Sequence, residues 1–455
     1  MKLRDLLPRT RRRALVLGAV VLVLAAAVIV PLALRSRPPE SADWSLPPNL
    51  AHSNVVIGDR LKAGIELVAD TQPVVSDDPA AAQEVADAEQ GLSIALLQQL
   101  AKNAGDGNVS VSPASLAFAL AMLQNGAAGK TAQETRSVLH SDLSTEQQDV
   151  GFAALTAAWH DAADAGDITL DSANSLFLQR NFPVQPGFLG ALKTYFDAGT
   201  WEVDYENQLS DAIDTINAWT SEKTHGKIKK LFEDGTLDAS TVAVLANAVY
   251  FKAAWAAPFD PDDSRAGTPF HSPSGPTTPT FMTRADEQMS VAQGTGYQAV
   301  ELPYRGGRFA ALAVMPTAGT LDDFVARLDP DQLGQIGDAL HATDARLYLP
   351  RFTTESNLAL NGTLSDLGMP TAFTSKADFS ALSRLPTQIQ AVEQRVYLAV
   401  GEKGTEAAAA TGVAMTTSGA SLGPSTIVTF DHPFLFLVRD TATGAILFAS
   451  LVQSP

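Results

Sequence analysis

The 455 residues of this chain contain no cysteine. Disulfides, thiolate metal sites and a cysteine nucleophile are excluded together. A cysteine-free chain fits oxidising and reducing compartments alike, so this absence leaves location open. Basic residues are scarce: 32 Lys and Arg stand against 50 Asp and Glu, for a net charge of −18. That balance argues against nucleic acid, whose binding needs fields of Lys and Arg. The seven histidines show no His-Glu-x-x-His or other ligand spacing, so neither a metal site nor a cofactor is expected. Hydrophobic residues make up 45% and charged residues 18%, which supplies a sizeable core for one large domain or two to three ordinary ones.

One long hydrophobic run is present. Lys2, Arg4, Arg9, Arg11, Arg12 and Arg13 precede an uncharged stretch from Ala14 to Leu34. Twenty-one helical residues span ~30 Å, the thickness of a bilayer core. A secretory signal carries a shorter apolar region of about 7–15 residues and a small-residue cleavage site. Here the run ends in Leu34-Arg35-Ser36-Arg37. The expectation is a basic cytoplasmic segment (1–13), a transmembrane anchor (14–34) and an outward-facing remainder. Secretion after cleavage is the alternative. Residues 35–80 read as a Pro-rich tether, with Pro38-Pro39, Pro47-Pro48 and Asp77-Asp78-Pro79. Alternation within Asn54–Val68 offers one short strand there.

From residue 81 the pattern changes to one large domain, 81–455. Apolar spacing predicts a helix over Ala81–Asn103 and a second over Pro113–Gly126, with Ser112 as N-cap and Pro113 at its first position. Thr131-Ala132-Gln133-Glu134 reads as a capping box opening a third, and Thr145–Ala163 as a fourth. Ile168–Gln179 alternates as a strand, and Val242–Lys252 is a nearly continuous apolar run, as expected of a strand buried on both faces. Strands follow at Tyr297–Tyr304, Phe309–Met315, Ala345–Leu349, Arg395–Val400, Thr426–Phe430, Phe434–Val438 and Ala445–Val452. Helices early and strands late predict an α+β fold with a mostly antiparallel sheet.

One late segment is too small to anchor a core and too Gly-flanked for a helix: Gly404 through Gly412, with Ala407, Ala408, Ala409 and Ala410 at its centre. Read with period two, Thr405, Ala407, Ala409, Thr411, Val413 and Met415 form an apolar or β-branched series. Glu406, Ala408, Ala410, Gly412, Ala414 and Thr416 form a small or charged one. Alternate residues of a strand face opposite sides, so one series suits a core and the other suits solvent. No proline interrupts Thr405–Gly423, and small side chains let such a segment pass between strands without clashing. In a generic globular chain the same composition is a surface loop.

The residues resemble the serpin family, over about 81–455 and in family order. Asn108-Val109-Ser110-Val111-Ser112-Pro113 is similar to the family's early strand-to-helix motif, and Leu123–Thr131 to the turn that follows. Ala173-Asn174-Ser175-Leu176-Phe177, Asn217-Ala218-Trp219 and Leu245–Lys252 with Trp255 continue the series. Glu301–Tyr304, Leu349–Phe352, Leu367–Met369, Ala377–Ser380 and Phe430–Phe436 complete it. Each motif alone is weak; this many in order is specific. The resemblance implies about nine helices, three β-sheets and an exposed reactive-centre loop at about 402–429. It implies a suicide-substrate inhibitor, not an enzyme. A target serine peptidase would attack the loop, form an acyl-enzyme, and be trapped as the cleaved loop enters the central sheet.

Carried over residue by residue, the resemblance makes Glu402, Gly404, Thr405, Glu406 and the run to Thr411 the hinge. Ser112, Ser115 and Asn247 match a polar gate under the sheet. The family's usual histidine there is Gln394, which can still donate and accept. Trp255 falls at the top of the sheet. Counting from Glu402 places the reactive bond at Ser418-Gly419; counting back from Phe430 places it at Leu422-Gly423. The loop is about four residues longer than usual, and the hinge count is preferred. A small residue at the bond suits an elastase-like peptidase, and Leu422 a chymotrypsin-like one. A monomer is expected, tethered to a membrane by residues 14–34 or secreted after cleavage. Two other readings stand beside it. A non-inhibitory member would act as a binding or chaperone-like protein. Gly419-Ala420-Ser421-Leu422-Gly423 also fits the Gly-x-Ser-x-Gly elbow of a hydrolase, with Ser421 as nucleophile, but that elbow needs a helix next, and Pro424 and a strand pattern follow.

Overall fold

The structure is a computed structural model that describes residues 52–54, 65–67 and 76–455, apart from 104, 167, 197, 234 and 406–425. Residues 49–455 form one compact unit. Nine α-helices are described: α1 Pro79–Ala101, α2 Pro113–Gly126, α3 Gly129–Val138, α4 Thr145–Gly166, α5 Pro186–Phe196, α6 Leu209–Lys223, α7 Leu321–Arg327, α8 Pro330–Asp338 and α9 Asn361–Asp366. The strands are β1 His52–Asn54, β2 Ile65–Leu67, β3 Val109–Val111, β4 Thr169–Gln179, β5 Gly199–Val203, β6 Ala243–Ala254, β7 Phe270–Ser272, β8 Gly275–Thr277 and β9 Phe281–Gly294. They continue as β10 Tyr297–Pro303, β11 Phe309–Pro316, β12 His341–Pro350, β13 Phe352–Ala359, β14 Ala391–Gly401, β15 Gly404–Thr405, β16 Thr426–Thr429, β17 Phe434–Asp440 and β18 Ile446–Val452.

Three sheets result. The central one runs β1-β2-β5-β4-β6-β15-β14-β13, with β6 also paired to β14; the second runs β16-β12-β9-β10-β11-β17-β18-β3; β7 and β8 make a hairpin. Most pairings are antiparallel; β4 with β5, β6 with β14 and β12 with β16 are parallel. The segment read as a tether contributes two short strands, β2 pairing with β5 and β1 with β2.

The reading of Val242–Lys252 as a strand buried on both faces holds as β6, whose two faces bury different cores. Leu245, Val249 and Phe251 join the main core. Val244, Ala246 and Ala248 join a smaller one beneath α6, with Ile213, Ile216 and Trp219. α2 is apolar all round, and only Asn125 among its residues escapes burial. Such a helix must be enclosed, and α2 lies against β4 and β6 on one side and β18 on the other.

One local expectation fails, and another holds by position without its side-chain bond. The capping box at Thr131 does not open α3, which starts at Gly129 with Ala128 as N-cap. Both side chains are drawn across to residues 371–378 instead. Thr131 Oγ1 accepts the Asp378 N–H at 2.9 Å, and Glu134 accepts from the Thr371 N–H and hydroxyl at 2.9 and 2.8 Å. Ser112 is the N-cap of α2 by position, but its hydroxyl makes no cap bond. It donates to Leu447 O at 2.6 Å.

Candidate functional site

β6 and β14 run side by side through six residue pairs, from Ala391 with Val244 to Val396 with Val249. Above Val249 they part. The gap is filled by β15: Gly404 lies opposite Ala254 and Gly401, and Thr405 opposite Ala253 and Val400. The central sheet is thus a fork with the first two residues of a new strand set into its mouth. Gly404 has φ +149°, in the region that favours glycine. A Cβ there would lie 2.0 Å from Ala253 O, so no other residue fits.

The side chains around β15 hold it from three directions. Thr405 is fully buried, and its hydroxyl meets Tyr304 Oη at 2.6 Å. Burial pushes the Tyr304 phenol far above its ordinary pKa, which keeps it neutral. Trp255 stacks on Tyr304 with ring centroids 4.5 Å apart, and its Nε1–H donates to Gly401 O at 2.9 Å. The turn at Glu402-Lys403 is bound by its backbone: Phe259 N–H donates to Glu402 O at 2.8 Å, and Trp255 N–H to Lys403 O at 3.0 Å. The Glu402 carboxylate accepts from Ser264 Oγ at 3.0 Å and pairs with Arg351 at 3.5 Å.

Where the fork closes lies a buried polar cluster. Gln394 Nε2 donates to Asn247 Oδ1 at 2.8 Å and to Ser112 O at 3.0 Å, while its Oε1 accepts the Ser112 N–H at 2.8 Å. Asn247 Nδ2 reaches Ser115 O at 2.9 Å and both Ser115 Oγ and Asn174 Oδ1 at 2.5 Å. Asn247 and Gln394 are fully buried. Every amide group of the pair is used, and the pair crosses the seam between β6 and β14. These bonds tie both strands to the start of α2, and parting the strands breaks the 2.8 Å bond.

A family model described as serpin, serine protease inhibitor, matches residues 87–455. The chain belongs to the serpin family. It is 34% identical to an uncharacterised serpin-like protein of Thermococcus kodakarensis, over 82% of this chain and 86% of that one. Identity to the leukocyte elastase inhibitor of Xenopus laevis is 33%, over 79% and 96% of the two chains. The native structure of the thermophilic serpin tengpin superposes with a TM-score of 0.74 at 25% identity, covering 86% of this chain and 98% of that one. The fold of nine helices and three sheets is the serpin fold.

In this serpin, Ser112, Ser115, Asn247 and Gln394 meet in one cluster, and Trp255, Glu402, Gly404 and Thr405 meet at the mouth of the fork. Glu406 through Thr411, both assignments of the reactive bond (Ser418-Gly419 and Leu422-Gly423) and Ser421 lie outside the described residues. So does the 14–34 run; among the described residues no helix is long and apolar enough to cross a membrane. Among those residues no group of His, Asp and Glu could hold a metal. Among the contributors that carried no role in the sequence are Asn174, Tyr304 and Arg351. Each stands inside a family motif, but its partner is 50 to 100 residues away or more, so the contact had no local signature. His432 pairs with Asp431 at 2.7 Å and stacks on His271.

Proposed function

We propose that this serpin is a suicide-substrate inhibitor of a serine peptidase and that the fork is the entrance for its cleaved loop. The peptidase serine attacks the carbonyl of Ser418, an acyl ester forms, and the amine of Gly419 leaves. The freed strand then zips into the sheet behind Thr405. The observation that carries this reading is the seated pair Gly404-Thr405, whose register sets where every later residue would land. Each step along the loop meets one step back along both neighbours. Thr411 then arrives opposite Asn247 and Gln394, and Met415 opposite Ala243, the first residue of β6. Thr405 faces the core, so Ala407, Ala409, Thr411 and Val413 follow it inward. The Thr411 hydroxyl comes to the place where the Gln394–Asn247 bond must break, and it can serve both amides. Ser418 lies three residues past Met415; Leu422 would leave seven beyond the end of β6. That length supports Ser418-Gly419 and a peptidase with a small pocket.

The test is incubation of the chain with a panel of serine peptidases. Expected are complexes that survive denaturant, and a released C-terminal peptide beginning at Gly419. Ala409→Pro removes a ladder donor in mid-strand and should convert the inhibitor into a substrate, cleaved without trapping. Clean cleavage of the unaltered chain with no complex would favour the non-inhibitory, binding-protein reading. We further propose that residues 14–34 hold the domain outward at a membrane. Deletion of 1–37 should then release it; a mature protein shed without deletion would mean a cleaved signal.

A further inference from the structure

β4 extends beyond β5. Its pairing with β5 starts only at Ser175 with Gly199, while β4 itself starts at Thr169. The missing stretch leaves a notch in the sheet edge, between α4, the start of β5 and the end of α6. A cavity of about 340 Å³ occupies it. Its size is at the small end of ligand pockets, ~300–1,000 Å³.

The walls are aromatic. Phe118, Trp159 and Phe196 belong to the main core, and Trp201 and Trp219 to the smaller one. Three of the chain's five tryptophans line this one space. Core packing accounts for most of them, and Trp159 Nε1 is satisfied by Asp440 at 3.0 Å. Trp201 differs. It is only 6% exposed, yet its indole N–H has no hydrogen-bond partner. A buried indole N–H normally finds an acceptor, and leaving one unmade costs stability. The charge of the lining is equally selective. The chain holds 50 acidic residues, but none lines the cavity; the titratable groups there are His160 and Lys223, both exposed.

We propose that this cavity is a binding site for a small aromatic carboxylate. The rings lie between the tryptophan and phenylalanine walls, and the carboxylate takes the Trp201 N–H on one oxygen and faces Lys223 with the other. The site does not depend on loop insertion. It shares Asn174 with the polar cluster under the fork, so an occupant sits one side chain from Asn247.

Calorimetric titration of the full chain with 2-naphthoate tests this. One saturable site is expected, with binding weakened by added salt. Naphthalene-2-carboxamide should bind at least tenfold more weakly, because its charge is gone. Trp201→Phe keeps the ring surface and removes the donor, and should cost about tenfold in affinity. Lys223→Gln, at an exposed helix end where folding is not at risk, should cost about fivefold and abolish the salt dependence. Absence of saturable binding, equal affinity in both variants, or tighter binding of decanoate than of naphthoate would overturn the assignment.

Discussion

At the scale of single residues, Gly404 and Glu89 have opposite kinds of consequence. Gly404 is where backbone approach permits no side chain. Gly404→Ala should expel Gly404 and Thr405 from the fork and lower the unfolding free energy by ~1–3 kcal/mol. Hydrogen exchange reads this directly: the Thr405 amide should lose protection, and retained protection would show that the seat tolerates a Cβ. Glu89 is fully enclosed in α1, accepting from Ser93 Oγ and from the Ile446 N–H at 2.8 Å. Burial pushes its pKa up to about 8, against the two hydrogen bonds, which lower it. A folded-state pKa above the unfolded one favours the protonated fold. The stabilisation is complete below about pH 4.5 and drains away as pH rises through about 8. Glu89→Gln should flatten that decline and raise the denaturation midpoint at pH 8. Asp149 and Glu393, both raised to about 7 by burial, act in the same direction.

At the scale of elements, the seam between β6 and β14 is held by six residue pairs and one side-chain bridge. Gln394 has no proton to lose or gain, so complex formation should show no titration of this cluster between pH 6 and 8. Gln394→His introduces one. Protonated imidazole offers only donors, and the Ser112 N–H then loses its acceptor. Spontaneous loss of inhibitory activity should accelerate below about pH 6.5 in that variant and not in the parent. Local sequence signals were read well where the hydrophobic period was long: β4, β6 and α2 fall within two residues of their expected bounds. They failed where a polar side chain had a choice. Thr131, Glu134 and Ser112 carry ordinary helix-start chemistry, and each is taken by a partner more than 230 residues away. Short or mixed elements such as β5 and β13 were not anticipated, since their burial depends on neighbours rather than on their own pattern.

At the scale of the whole molecule, the proposed insertion would exchange six parallel pairs for a full new strand with neighbours on both sides. The gain is on the order of ten ladder hydrogen bonds at a net ~0.5–1.5 kcal/mol each. That is comparable with the ~5–15 kcal/mol that holds a domain together. Cleavage at the reactive bond should therefore raise the thermal unfolding midpoint by tens of degrees; an unchanged midpoint would mean that the loop stays out. The sequence by itself determined the family, the α+β class, the small-residue alternation of the hinge and the identity of the four polar residues under the sheet. The α+β class and the alternation are carried by composition and period, which are local; the family and the four polar residues were legible only through the resemblance of a series of motifs in family order. Only the tertiary structure decided that Gly404 and Thr405 are set into the sheet, that Tyr304 and the Arg351–Glu402 pair hold that turn, and that β5 stops short of β4 to leave a tryptophan-lined notch. Those facts depend on where strands distant in the chain begin and end against one another, and register between distant strands is a property of packing that no single segment encodes.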